Sequence, residues 1–140
     1  MFYVDTSVLA AYYVPEALSA AVEQALVKAE AAALSFLVRV EFSSVLAQKV
    51  RMKEMTAESA GRILALFRLH LAEERFHKVS FTGKESDLAD EWLGRFIAPL
   101  RTLDALHLAM AYSHKLVLLT ADKKLAECAE IFGAKYKLLS

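Results

Sequence analysis

Short apolar runs alternate with stretches of helical periodicity along this chain, and that alternation limits the fold more than any other feature. Phe2–Val4 is apolar and β-prone, and the capping residues Asp5, Thr6 and Ser7 follow it. Pro15 interrupts the helical turns after them; from Glu16 the residues Leu18, Val22, Ala25, Leu26 and Ala29 recur at helical spacing. Ala32–Ser35 reads as a weak strand, because alanine is a poor strand former. A helix is expected over 36–53, with Val38, Phe42, Val45, Leu46 and Val50 as its stripe. Thr56 is placed to cap the next helix, whose apolar face carries Ala60, Ile63, Leu64, Phe67 and Leu71. Phe76–Phe81 alternates as a strand does, and helical segments near 85–96 and 102–114 lie on either side of Pro99. Leu116–Leu119 is a continuous apolar run, typical of a strand buried on both faces. A helix near 123–132 then ends at Gly133, and Lys135–Leu139 is expected as an edge strand. Strands alternating with helices predict an α/β fold, a parallel sheet covered on both faces.

A length of 140 residues suits one domain over 1–140. Hydrophobic residues at 56% exclude disorder, and their excess suggests that some are buried against another chain. Lysine plus arginine and aspartate plus glutamate both number 17, which argues against a broadly basic nucleic-acid coat. A local basic rim stays open, since net charge says nothing about patches. The lone Cys128 excludes an internal disulfide and a cysteine-based zinc site. No uncharged run exceeds ten residues, too short to span a bilayer. Asp5 interrupts the apolar amino terminus and no basic leader precedes it, so a cytoplasmic chain without a signal peptide is expected.

In such sheets the working groups sit beyond the carboxyl ends of the strands. Asp5 follows the first strand and Asp122 follows the Leu116–Leu119 strand. Glu41 falls in the second turn of the helix after the second strand, and Asp104 in the first turn of the helix leading to the fourth. These acids come from four distant parts of the chain and are expected on one edge. Their contexts are apolar: Phe2-Tyr3-Val4 before Asp5, Val40 and Phe42 around Glu41, Ala105 and Leu106 after Asp104. Acids in such settings need compensation, and like charges in one cleft either share protons or hold cations. Hard oxygen ligands suit Mg²⁺ or Mn²⁺. Each acid alone also has an ordinary reading: Asp5 and Asp122 as caps, Asp104 as a first-turn dipole partner, Glu41 as a surface partner of Arg39 or Lys49.

The stretches FYVDTSVLAAYY, VRVEFSSVLAQ, LRTLDALHLAMA and LLTADKKLAECA resemble, in order and spacing, the four acidic motifs of the PIN domain. The resemblance is closest to the toxin subunit of VapBC toxin–antitoxin pairs and covers essentially the whole chain. It implies a three-layer α/β/α fold with a five-stranded parallel sheet in the order 3-2-1-4-5. It further implies a Mg²⁺- or Mn²⁺-dependent endoribonuclease acting on single-stranded RNA, a homodimer, and an antitoxin that wraps the toxin and blocks its site. Carried over, Asp5 and Asp104 are direct metal ligands, and Glu41 and Asp122 ligate directly or through water. Lys123 and Lys124 stand where the family often offers a further acid.

Thr6, Ser7 and Thr120 are placed to bond the acids or simply to cap helices, and His107 shares a helix face with Asp104. His70, His77 and His114 show no ligand spacing, and Asp87, Asp90 and Glu91 read as a solvated face. Arg39, Lys49, Arg51, Lys53, Lys123 and Lys124 are candidates for an RNA-guiding rim. Two competing readings are a PIN-like interaction module without catalysis and an acyl-phosphate phosphotransfer or phosphatase domain. The second fits poorly, because Ser7 occupies the position where such phosphatases carry a second aspartate.

Overall fold

A computed structural model describes residues 1–29 and 31–140. In chain order the elements are β1 (Phe2–Val4), α1 (Thr6–Tyr13), α2 (Ser19–Lys28), β2 (Ala32–Leu34), α3 (Phe36–Arg51) and α4 (Ala57–Ala72). They continue with β3 (His77–Lys78), α5 (Gly83–Leu93), α6 (Thr102–Ser113), β4 (Val117–Thr120), α7 (Lys123–Ile131) and β5 (Tyr136–Leu138). The sheet has the order β3-β2-β1-β4-β5 and every pairing is parallel. Tyr3 lies in register with Ala33 on one side and Leu118 on the other, so β1 is central. The chain builds outward from β1 to β3, then returns to lay β4 on β1's free side. That reversal makes the β1/β4 seam a topological switch point, where a crevice opens beyond the strand ends.

The expected alternation is present, with helices on both faces of the sheet. Val4, Leu118 and Leu119 are fully buried, as the apolar run around β4 requires. Helices α1, α3 and α4 meet through a cluster of rings. Phe67 packs edge-on against Phe42 at 5.1 Å and against Tyr13 at 5.4 Å. On α6, Ala105, Ala109 and Ala111 are buried beside Leu108 and Met110, and small side chains there let the α5–α6 pair approach closely. Trp92 of α5 stacks on Phe132 just past α7, with ring centroids 4.9 Å apart.

Most boundaries shift by one to three residues from the sequence expectation, and two of the shifts have a clear physical cause. The strand expected over 76–81 pairs only at His77 and Lys78, because its neighbour β2 is itself three residues long. The helix expected over 85–96 runs from Gly83 to Leu93. Its start is set by a capping box: the Thr82 hydroxyl accepts from the Lys84 N–H, and the Glu85 carboxylate accepts from the Thr82 N–H at 2.8 Å. Burial pushes the Glu85 pKa up, but hydrogen bonds from Thr82 and the nearby His114 more than offset it and leave it below the usual value.

Four helix ends share one device. Past α7, Gly133 takes φ +71° and the Ala134 N–H bonds back to the Ala129 carbonyl at 2.9 Å, a Schellman turn. Past α3, α4 and α6 the equivalent left-handed position is filled by Lys53 (φ 58°), Glu74 (φ 57°) and Lys115 (φ 57°). The same backward bonds form there: Glu54 to Lys49, Arg75 to His70, and Leu116 to Ala111. A Cβ in this region costs roughly 1–2 kcal/mol, part of which glycine returns as unfolded-state entropy. Lys53→Gly, Glu74→Gly and Lys115→Gly are each expected to stabilise the fold by ~0.5–1 kcal/mol in urea titration. Glu85→Gln tests the cap by pH. A depressed carboxylate pKa stabilises the fold above its unfolded value of about 4.3, and this is lost as pH falls through the folded value. Wild type is therefore expected to exceed Glu85→Gln in thermal midpoint at neutral pH, and the gap to close in acid.

Candidate metal centre at the switch point

Asp5 closes β1 and caps α1, so a residue with a local structural role also points into the crevice. It is 4% exposed. Its Oδ1 accepts from the Val8 N–H at 3.0 Å and the Ser7 hydroxyl at 2.6 Å, and its Oδ2 accepts from the Thr120 hydroxyl at 2.5 Å. Both hydroxyls are used twice: Ser7 Oγ accepts from the Ala121 N–H and Thr120 Oγ1 from the Asp122 N–H. The carboxylate at the end of β1 is thus tied to the loop that leaves β4. Burial still wins, and the Asp5 pKa is raised despite these donors and the favourable influence of His107.

The other three expected acids line the same cleft, about 620 Å³ in volume, together with Asp5, Thr6, Ser7 and His107. Asp122 caps α7, accepting from the Lys124 N–H at 2.9 Å. Asp104, half-buried in the first turn of α6, accepts no hydrogen bond and makes no ion pair among the described residues. Its pKa is raised, first by burial and then by the neighbouring Asp122 charge, with Glu41 adding to the effect. Glu41, half-buried on α3, uses Oε1 twice, accepting from the Thr6 hydroxyl at 2.9 Å and from His107 Nε2. Burial raises its pKa, yet the His107 and Thr6 bonds prevail and hold it below the usual value.

Arg39 and Lys49 are not its partners. Lys49 pairs loosely with Glu54 at 3.8 Å, while Arg39 lines a separate groove between α3 and α4. Of the candidate basic rim, only Lys49 lines the cleft among the described residues. Thr6, Ser7 and Thr120 all bond cleft acids, in addition to any capping role. The feature least legible in the sequence is His107, which is buried, with Nε2 on Glu41 and Nδ1 2.8 Å from the Tyr3 hydroxyl. Its one sequence signal is a polar ring three residues after Asp104 in an otherwise apolar helix.

Among the described residues, no three His, Cys, Asp or Glu side chains stand close enough to enclose a metal ion by themselves. Mg²⁺ does not require that, since it usually keeps several waters and takes one or two carboxylates. The donors are hard oxygens, and two of the acids have pKa values raised by burial, Asp104 also by like charge. Excess negative charge of this kind is what a divalent cation relieves, so the residues present fit Mg²⁺ or Mn²⁺.

A five-stranded parallel α/β fold with acids gathered at its switch point defines a class, and the sequence match specifies it. Residues 2–131 match the PIN domain, and the chain belongs to that family. Among solved structures it is similar to VapBC2 from Rickettsia felis bound to a fragment of promoter DNA, at 17% identity over 100% of both chains (TM-score 0.73). It is also similar to VapC20 from Mycobacterium tuberculosis, described as a sarcin–ricin loop cleaving toxin. There the identity is 19% over 91% of this chain and 94% of that one, with a TM-score of 0.71. FitAcB from Neisseria gonorrhoeae shares 16% identity over 97% of this chain and 96% of its own (TM-score 0.67). No curated protein sequence matches this one.

Relief of like charge gives a direct test of the cleft. Asp104→Asn is expected to raise the thermal midpoint in metal-free buffer at neutral pH by a degree or more.

Proposed function

We propose that this chain is a Mg²⁺- or Mn²⁺-dependent endoribonuclease of single-stranded RNA and the toxin of a toxin–antitoxin pair. The observation that carries the reading is the convergence of Asp5, Glu41, Asp104 and Asp122 on one cleft of a PIN domain. A divalent cation, when bound, would lower the pKa of a coordinated water and steady charge on a phosphoryl oxygen. Asp5 and Asp104 are the proposed direct ligands, with Glu41 and Asp122 ligating directly or through water.

The chain's own residues do the positioning. Ser7, Thr120 and the Val8 N–H fix the Asp5 carboxylate, so little reorganisation is needed when charge develops nearby. Thr6 and His107 occupy one oxygen of Glu41 and leave Oε2 for a water or the cation. Asp104, without a hydrogen-bond donor of its own among the described residues, is the acid with most to gain from a cation. Lys49, two helical turns beyond Glu41 on α3, is ~12 Å further along the cleft and suits a neighbouring phosphate. In-line attack of water on phosphorus, with cleavage of the P–O3′ bond, would leave 5′-phosphate and 3′-hydroxyl ends. No nucleophilic side chain is needed.

An antitoxin partner is supported by a similar structure described as a toxin–antitoxin complex from Klebsiella pneumoniae, at 20% identity over 90% of this chain (TM-score 0.66), and by the likeness to VapBC2 from Rickettsia felis. Exposed apolar residues supply surface for it and for a homodimer: Phe36 and Val40 on α3, and Phe96, 91% exposed, in the α5–α6 loop. None of the described helices is long and apolar enough to cross a membrane, in keeping with a cytoplasmic site of action.

Cleavage of single-stranded RNA by the purified protein is expected with Mn²⁺ or Mg²⁺ and absent in chelator. Asp5→Asn and Asp104→Asn should each lower the rate by ~100-fold or more. Undiminished cleavage by the double variant, or cleavage that persists in chelator, would overturn the assignment. Mn²⁺ binding without cleavage of any tested RNA would favour the interaction-module reading.

A further inference from the structure

A buried histidine on α6 has no packing reason to be polar. Around it Ala105, Leu108, Ala109, Met110 and Ala111 are all buried apolar residues. His107 is 3% exposed, and an unpaired ring nitrogen there would cost more than a leucine. Both of its nitrogens are used. Nδ1 meets the Tyr3 hydroxyl at 2.8 Å, and that hydroxyl meets Ser35 Oγ, also at 2.8 Å. Nε2 meets Glu41 Oε1, which the Thr6 hydroxyl also approaches. The result is a continuous polar chain, Ser35–Tyr3–His107–Glu41–Thr6, from the cap of α3 through the middle of β1 and α6 to the cleft.

We infer that His107 is a positioning residue for Glu41: braced by Tyr3 and Ser35, it locks one carboxylate oxygen so that the other is presented to a divalent cation or its water. This rests on the metal-dependent reading above and adds to it a residue outside the acidic quartet. The logic does not depend on the charge of the ring. An ionised carboxylate only accepts, so Nε2 carries a proton in either state. Nδ1 can accept from Tyr3 or donate to it, because the Tyr3 and Ser35 hydroxyls both rotate. Burial holds the Tyr3 phenol far above its ordinary pKa, so it keeps its proton. Glu41 Oε1 therefore has two fixed donors, one from α1 and one from α6, while Oε2 accepts no hydrogen bond among the described residues. Partners behind a metal-binding carboxylate act in this way, and their loss weakens metal affinity roughly 10–100-fold.

The test is Mn²⁺ binding by isothermal titration calorimetry of the full chain, with circular dichroism to verify the fold. His107→Leu removes the donor but keeps the bulk, and is expected to weaken Mn²⁺ binding by roughly 10–100-fold. His107→Gln offers an amide N–H towards Glu41 and an oxygen towards Tyr3, and is expected to recover most of the loss. Tyr3→Phe, which removes the brace alone, should fall between them. A folded His107→Leu protein with wild-type affinity, when Asp104→Asn has lost binding, would overturn the positioning role and leave the nuclease reading intact. A glutamine variant as weak as the leucine one would overturn it too. If His107→Leu does not fold, Tyr3→Phe decides, and unchanged affinity there counts against the role. A wild-type protein that binds no Mn²⁺ would overturn both readings.

Discussion

The Asp5 carboxylate is buried at the end of the central strand, and its desolvation is partly offset by donors that arrive from both sides of the β1/β4 seam. Without Thr120 from β4 and Ser7 from α1, an acid in this place would be among the most expensive groups in the molecule. With them, the cost becomes a geometric constraint. The same hydroxyls that satisfy Asp5 also hold the Ala121 and Asp122 amides, and so fix where α7 begins and where the Asp122 side chain starts. Strand pairing alone would align β1 with β4; this lattice also aligns the starts of α1 and α7 beyond them.

The residual imbalance matters as much as the bonds. Asp5 and Asp104 remain raised in pKa, whereas Glu41, with His107 beside it, is lowered. The cleft thus contains acids of opposite bias a short way apart. At Glu41 the charged form is favoured. At Asp5 and Asp104 the protein only partly compensates the charged form, and such sites trade stability for binding.

Much of this is legible in the chain itself, for reasons that differ by residue. Asp5 and Asp122 stand out because each follows an apolar run at a point where strand must give way to helix. Glu41 stands out because an acid well inside an apolar helix has few ordinary explanations, whereas Asp104, in a first turn where acids are common, stands out only jointly with the other three. The parallel sheet follows from alternation, whereas its strand order comes from the family resemblance. The partner of Glu41 is not legible. His107 lies 66 residues away, and no local pattern links the two; Tyr3, which braces it, looks like any aromatic residue in a strand. The short reach of β3 is hidden for a related reason, since a strand's length depends on the neighbour it pairs with as well as on its own residues. Helix ends at Lys53, Glu74 and Lys115 are obscured because the left-handed position there carries no glycine.

The sheet's two borders have a consequence for how this molecule meets others. On one side β3 offers two residues with exposed His77 and Lys78 side chains; on the other β5 offers three, with Tyr136 and Lys137 exposed. Borders this short, each bearing lysine, give a foreign strand little ladder to extend. Backbone addition is therefore disfavoured at both borders, and the outward side chains of the helices are the larger surface for recognition. Such a surface can change without disturbing the sheet, because outward-facing helix side chains take no part in strand pairing, so specificity and scaffold are carried by different residues.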